Sequence, residues 1–266
     1  MVDWGRQEVM KHMIDGNIGL IVPKQFKEVP GAFISDTLVG HKTVSAYDIN
    51  YFFPLFLYTS KQEKRKSSLV QMLMFEPESV YESKIPNINY EIYQRLNSDF
   101  KKEVTPEEIF YYIYAVLYSN IYRTKYAEFL KIDFPRVPFT KDYKLFIQLG
   151  KLGNQLADLH LIKSKELDKT ISKFPKAGSN KVEKPKYEKE KVWINTEQYF
   201  NGIKEEVWLY QIGGYQVCEK WLKDRKGRPL TAEEIKTYCK IVTALSKTIE
   251  LQKEIDKYFV DVEKSL

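Results

Sequence analysis

A chain of 266 residues, 43% of them apolar, can build a packed core in one large domain or two small ones. Its formal charge of +6 permits a nucleic-acid or acidic partner without requiring one. Two cysteines, Cys218 and Cys239, exclude a disulfide framework and a four-ligand zinc site, and read as buried thiols in a reducing compartment. No apolar run reaches the roughly 18–20 residues of a membrane span. The N-terminal "MVDWGRQEVMKHM" lacks the apolar stretch of a signal peptide, so a cytoplasmic location is expected.

Residues 17–75 read as strands. "NIGLIVP", "AFISDTLV" and "FFPLFLY" are short β-branched and aromatic runs punctuated by Gly and Pro. The basic "KQEKRKSS" between Leu57 and Leu69 reads as a solvated connection between two strands. Helices follow over 87–100, 105–130 and 142–162. The second is the clearest: Thr105 caps it, Pro106 fits its first turn, and Glu108 closes a capping box. Ile109, Ile113, Val116, Leu117 and Ile121 then recur at helical spacing.

Residues 163–191 change character, with ten lysines against five acids and almost no aliphatic periodicity. They predict a long exposed excursion, mobile and partly disordered. Strands resume around 207–213. A final helix begins at Thr231 with a second capping box, "TAEE", and runs through Phe259. The fold class is α+β. It has a β-rich N-terminal part (about 1–80), a helical middle with a long capped helix (about 87–162) and the exposed lysine-rich segment (163–191). A C-terminal α+β part (about 192–266) is a short sheet closed by a long helix, and the whole is read as a single domain.

Signatures of catalysis are missing. The sequence has no G-x-x-x-x-G-K-[ST] and no G-x-G-x-x-G after a strand; "GKLGNQLA" lies inside a helical pattern. The Asn/Asp-Pro-Pro-aromatic tetrapeptide with which adenine methyltransferases grip a flipped base does not occur. His12, His41 and His160 are scattered without metal-ligand spacing. Acid-x-Lys pairs at Glu82–Lys84 and Glu234–Lys236 are of the kind that chance supplies. The second lies in a helix first turn, where glutamate favours the dipole. No cofactor is expected.

Basic residues do cluster. "KWLKDRKGRP" carries Lys220, Lys223, Arg225, Lys226 and Arg228 around a glycine turn. Arg123 and Lys125 come late in the 105–130 helix, Arg136 sits on the proline-stiffened "FLKIDFPRVPF", and Lys24 and Gln25 follow the first strand. Such groups suit phosphates, and an arginine fork can also read guanine. They equally suit a solvated turn and helix C-terminal cations.

Four ordered stretches (5–25, 33–58, 105–162 and 214–245) resemble the C-terminal specificity domain of type ISP restriction–modification enzymes and of related N6-adenine DNA methyltransferases. The resemblance weakens only in 60–104 and 163–205. In that family one polypeptide joins a nuclease, an ATP-driven translocase, a methyltransferase and this target-recognition domain. The resemblance implies a domain that reads double-stranded DNA and presents an adenine to the methyltransferase. It also implies that this chain, lacking every catalytic part, is a truncated product, an excised domain or a separate specificity piece without activity in isolation.

Similar proline turns occur across that family in enzymes of different specificity. The 129–139 turn is therefore expected to be pinned by Phe134 and Phe139, with Arg136 a phosphate clamp or buried ion-pair partner. Base readers are expected in the weakly matching stretches, including 60–104 and the polar residues around Asn195–Asn201. The competing reading is an assembly module of the restriction–modification complex, docking a methyltransferase or nuclease through an aromatic surface with little DNA contact. A free-standing enzyme would require the acid-x-Lys pairs to meet a further carboxylate in space.

Overall fold

The short β-branched and aromatic runs near the N-terminus form strands, and the capped segments after residue 87 form helices. The computed structural model describes residues 7–27, 29–40, 43–44, 49–59 and 83–265. A short helix, α1 (Gln7–Met10), precedes β1 (Gly19–Pro23), β2 (Phe33–Ser35), β3 (Asn50–Pro54), β4 (Phe56–Thr59) and β5 (Ser83–Pro86). β1 lies between β2 and β3, antiparallel to both, with Ile21 opposite Phe33 and Phe52. β4 pairs antiparallel with β5. Asn17 links the two small sheets: its Nδ2 donates to the carbonyls of His12 and Phe56, each at 2.8 Å. The basic 61–68 connection lies outside the described residues.

The helical middle comprises α2 (Tyr90–Phe100), α3 (Pro106–Tyr118), α4 (Asn120–Lys125), α5 (Ala127–Leu130) and α6 (Tyr143–His160). Both halves of the Thr105–Glu108 capping box form. The single helix expected over 105–130 is a correction, because it breaks at Ser119, whose φ of −63° and ψ of 126° are extended. Ser119 Oγ accepts from Tyr122 N at 3.2 Å and donates to Asp256 at 2.7 Å. The same carboxylate accepts from Ile121 N at 3.2 Å and Asn120 Nδ2 at 2.9 Å. A distant acid thus satisfies the N–H groups that a helix start leaves open. Apolar periodicity runs straight through such a break.

α6 crosses α3 closely. A Cβ on Gly153 would overlap the Tyr111 carbonyl, whereas one on Gly150 would sit 3.5 Å from the Glu108 carbonyl, an ordinary contact. The two glycines of "GKLG" therefore serve helix packing. Around this crossing lies the first core, with Ile109, Tyr112, Tyr114, Phe146 and Leu149 buried.

After α6 come a 3₁₀ turn (Lys165–Asp168), β6 (Lys186–Glu188), β7 (Lys191–Trp193), β8 (Tyr199–Asn201) and α7 (Glu205–Trp208). β9 (Gln211–Ile212), β10 (Tyr215–Gln216), α8 (Val217–Lys223) and α9 (Ala232–Lys264) complete the chain. β7 lies between β6 and β8, antiparallel to both. Two expectations are corrected here. Val207 and Trp208 are helical, so only the end of the 207–213 stretch is strand. The 163–191 segment exposes its lysines but buries Leu167, Ser172 and Val182, so it is built into the fold. Its partners are remote: Val182 N donates to Arg228 O at 3.1 Å, and Gly227 N to Val182 O at 2.7 Å. One buried residue every several positions leaves no periodic signal.

The second core packs Val192, Phe200, Trp208 and Leu222 against Tyr238, Val242 and Leu245 of α9. α9 has 33 residues, about 50 Å of helix. Its later residues Ile255, Phe259 and Val262 belong to the first core. One helix therefore serves both.

The α3–α6 crossing gives a direct test. Gly153→Ala should lower the unfolding free energy by about 1–3 kcal/mol through overpacking. Gly150→Ala should leave it unchanged or raise it by up to about 1 kcal/mol through helix propensity. Urea denaturation of the two variants checks this; equal losses would contradict the crossing geometry.

Candidate nucleic-acid interface

The turn between α8 and α9 is built around Glu234. This residue closes the second capping box, accepting from Thr231 N at 3.0 Å. Its carboxylate also receives Arg228 Nη2 at 2.6 Å and Nη1 at 2.9 Å, and Arg225 Nε at 3.1 Å. Arg228 first, then the Thr231 N–H, hold the Glu234 carboxyl down at about 2. Arg225 lies over the Trp221 ring, its Cζ 3.5 Å from the centroid, and donates to the Trp221 carbonyl. Gly227, at φ +88°, turns the chain where a Cβ would be strained. Lys223 pairs with Glu219 along α8, while Lys226 is exposed with no ion-pair partner among the described residues. Four of the five basic residues around this turn, Lys220 with Asp224 among them, are thus paired with acids, and Arg228 remains half-exposed.

Backbone pairing brings the lysine-rich segment alongside. The Val182 bonds to Gly227 and Arg228, together with Leu230 N to Asn180 O at 2.8 Å, seat residues 180–182 against the turn. Residues 183–188 then continue along β7, where Lys186 faces Trp193 across the ladder. The sheet has two faces. Val192 and Phe200 point into the second core, while Lys191, Trp193 and Tyr199 are partly exposed on the other side. There Lys191 Nζ sits 4.6 Å from the Tyr199 ring centroid, and the Trp193 and Tyr199 rings are also 4.6 Å apart. Lys181, Lys184, Lys186, Lys226 and Arg228 so come from two remote stretches onto neighbouring backbone. Composition marks both stretches as basic, but nothing in the sequence marks them as adjacent.

The other predicted residues fall elsewhere. Lys24, Gln25 and Arg136 gather at the 129–139 turn: Lys24 reaches Asp133 at 3.9 Å, and Gln25 Nε2 donates to Ile132 O at 2.9 Å. Phe139 stacks on Tyr112 and Phe134 meets Tyr51 and Phe53 edge-on, so both phenylalanines hold the turn. Arg136 is exposed without an ion-pair partner among the described residues, and its carbonyl accepts from Tyr122. Beside it opens an apolar groove of about 510 Å³, where Phe129 is 72% and Ile132 65% exposed. Lys125 is tied to Glu263 at 2.8 Å.

Arg123 points inward. It is buried, donates from Nε to Leu117 O at 2.6 Å, lies over the Tyr118 ring, and leaves one terminal nitrogen without a hydrogen-bond partner. Near it His160 is held neutral. Thr248 Oγ1 spends its proton on Ala244 O, so His160 Nε2 must donate to it at 2.9 Å. His160 Nδ1 then accepts from Tyr114 at 2.7 Å. Burial, then the Arg123 charge, pull the imidazole down to about 3.

Chemistry needs groups that these positions do not assemble. Among the described residues no cluster of three His, Cys, Asp or Glu is placed to hold a metal ion. The Glu234 carboxylate is committed to its arginines and cap, and Glu82 lies outside the described residues. Burial pushes the Cys218 thiol up to about 12 and raises Cys239 as well, which removes nucleophilic thiolate. No helix among the described residues is long and apolar enough to cross a membrane.

The chain is thus an α+β fold that carries a lysine-rich face. The sequence profile of the Type ISP C-terminal specificity domain matches residues 1–254, and the chain belongs to that family. Comparison with curated proteins returns no match. Among solved structures, the fold is similar to part of the ATP-dependent Type ISP restriction–modification enzyme LlaBIII bound to DNA. There the TM-score is 0.69 at 19% identity, covering 95% of this chain and 17% of that one. A nuclease-deletion mutant of the Type ISP enzyme LlaGI, in complex with a DNA substrate mimic, gives 0.63 at 19% identity over 93% and 18%. A DrdV–DNA complex gives 0.69 at 18% identity over 94% and 26%. At these identities the likeness is one of fold, and the chain spans about a quarter or less of each of those proteins.

The buried histidine sets a pH dependence. Its folded pKa lies below the unfolded value of about 6.5, so the unfolded chain binds the proton first as pH falls. Its contribution is complete above pH 6.5 and shrinks by up to about 1.4 kcal/mol per pH unit toward pH 3. His160→Gln should lose this part of the slope; urea unfolding of both proteins at pH 7, 6 and 5 measures it. Parallel pH profiles would contradict a neutral buried imidazole.

Proposed function

We propose that this chain is the sequence-reading part of a restriction–modification enzyme. It binds double-stranded DNA and holds a target adenine for a methyltransferase carried elsewhere, on the same polypeptide or a partner. The observation that carries this reading is the pairing of residues 180–182 with 227–230, which joins two remote basic stretches into one face. Family membership and the DNA complexes of LlaBIII, LlaGI and DrdV, whose folds the chain shares in part, support it. Lys181, Lys184, Lys226 and Arg228 are assigned to phosphates, with Arg228 shared between DNA and Glu234. Lys223 and Arg225 support the turn, and Arg123 and Lys125 serve the core and α9. The chain needs no cofactor, and a DNA partner and free thiols suit the cytoplasm.

The exposed Phe129 and Ile132 favour a second role at a different face. In that reading the groove beside Arg136 receives the methyltransferase or nuclease–translocase portion of the enzyme, with Lys24, Gln25 and Arg136 at its rim. This docking accompanies DNA binding instead of replacing it.

Binding to duplex DNA across a salt series tests the main reading. Lys226→Ala and Arg228→Ala should each weaken binding to all sequences similarly and reduce the salt slope by about one. Arg123→Met and Arg136→Ala should leave that slope unchanged. The purified chain should transfer no methyl group from S-adenosylmethionine. A slope indifferent to Lys226 and Arg228 would overturn the assignment of this face, and selective loss on one duplex would make Arg228 a base reader.

A further inference from the structure

A groove of about 340 Å³ lies on the exposed side of the three-stranded sheet, between residues 183–188 and Trp193, Asn195 and Thr196. Its frame is fixed from below. Asn195 Oδ1 accepts from the N–H groups of Glu197 and Gln198 at 3.0 and 2.7 Å, and its Nδ2 donates to Lys181 O at 3.0 Å. The buried Gln198 donates to Lys176 O at 3.0 Å and to Asn180 Oδ1 at 2.8 Å, and accepts from Asn180 N at 2.7 Å. Two loops that the sequence separates are thereby locked to each other through two amide side chains, Asn195 and Gln198.

The rim is the opposite. Glu183, Lys184 and Thr196 are exposed and have no side-chain hydrogen bond or ion pair among the described residues. Unused donors and acceptors on a rigid frame are what base-edge recognition requires. Glu183 discriminates further. A carboxylate on a basic face is repelled by phosphates and gains only where it meets an amino group. The exocyclic amino groups of bases supply one.

We propose that this groove is the base-reading part of the DNA face. Glu183 accepts from an exocyclic base amino group and Thr196 contacts a neighbouring base edge, while Lys184 and Lys226 hold the flanking phosphates. The proposal rests on the DNA-binding reading and deepens it, since it assigns selectivity to side chains outside the predicted basic turn.

The test is selection of duplexes from a randomised pool by the full chain and by Glu183→Gln, Thr196→Val, the double variant and Lys184→Ala. The substituted side chains are all exposed, so melting temperatures should match the parent. The parent should recover one motif. Glu183→Gln and Thr196→Val should each relax preference at one or two positions by about tenfold. Lys184→Ala should keep the motif, bind more weakly and lower the salt slope by about one. A double variant that recovers the parent's motif undiminished overturns this inference alone. A parent that selects no motif overturns the DNA reading beneath it.

Discussion

Three polar side chains on one stripe of α9 let a single helix serve two cores. Thr248, Gln252 and Asp256 follow one another at four-residue spacing, the interval that stacks side chains on one helix face. Thr248 accepts from His160 of α6. Gln252 donates to the Tyr118 carbonyl at 2.9 Å and accepts from Tyr210 at 2.9 Å, joining the first core to the second. Asp256 caps the start of α4. A carbonyl at a helix break, buried without a donor, would cost on the order of 1–3 kcal/mol. Gln252 removes that cost and fixes the register of α9 against α3.

From that register the lysine-rich face follows. α9 begins at the Glu234 capping box, which gathers Arg225 and Arg228, and these residues end the turn on which the 180–182 segment pairs. The face is therefore assembled on the N-terminal end of the same helix whose C-terminal half is buried in the first core. Loops provide the exposed side chains, and helix and sheet provide their positions.

How much could be read from the chain depended on where each signal resided. Capping boxes at Thr105 and Thr231 are local, so both helix starts were legible, as was the pinning of the 129–139 turn by Phe134 and Phe139. The break at Ser119 depends on Asp256, far away in sequence, and left no trace in the apolar periodicity. The lysine-rich segment looked unstructured because its anchors, Leu167, Ser172 and Val182, are sparse and its bonding partners remote. Arg123 looked like a surface cation because residue type does not reveal burial; it lies four residues past the break at Ser119 and is buried. The basic turn was legible as charge, but its pairing with Glu234 and its neighbours across the 180–182 ladder were matters of tertiary pairing. The 60–104 stretch, where base readers were also expected, falls partly outside the described residues.

If α9 welds the cores, they should open together. Residue-resolved hydrogen exchange in low denaturant measures this through the slowest amides of α3 and α6 and of β7, β8 and α8. Both sets should share one opening free energy in the parent chain. In Gln252→Leu the two sets should split and open at different free energies. Separate opening of the two sets in the parent, or an undivided transition in Gln252→Leu, would contradict a weld through α9.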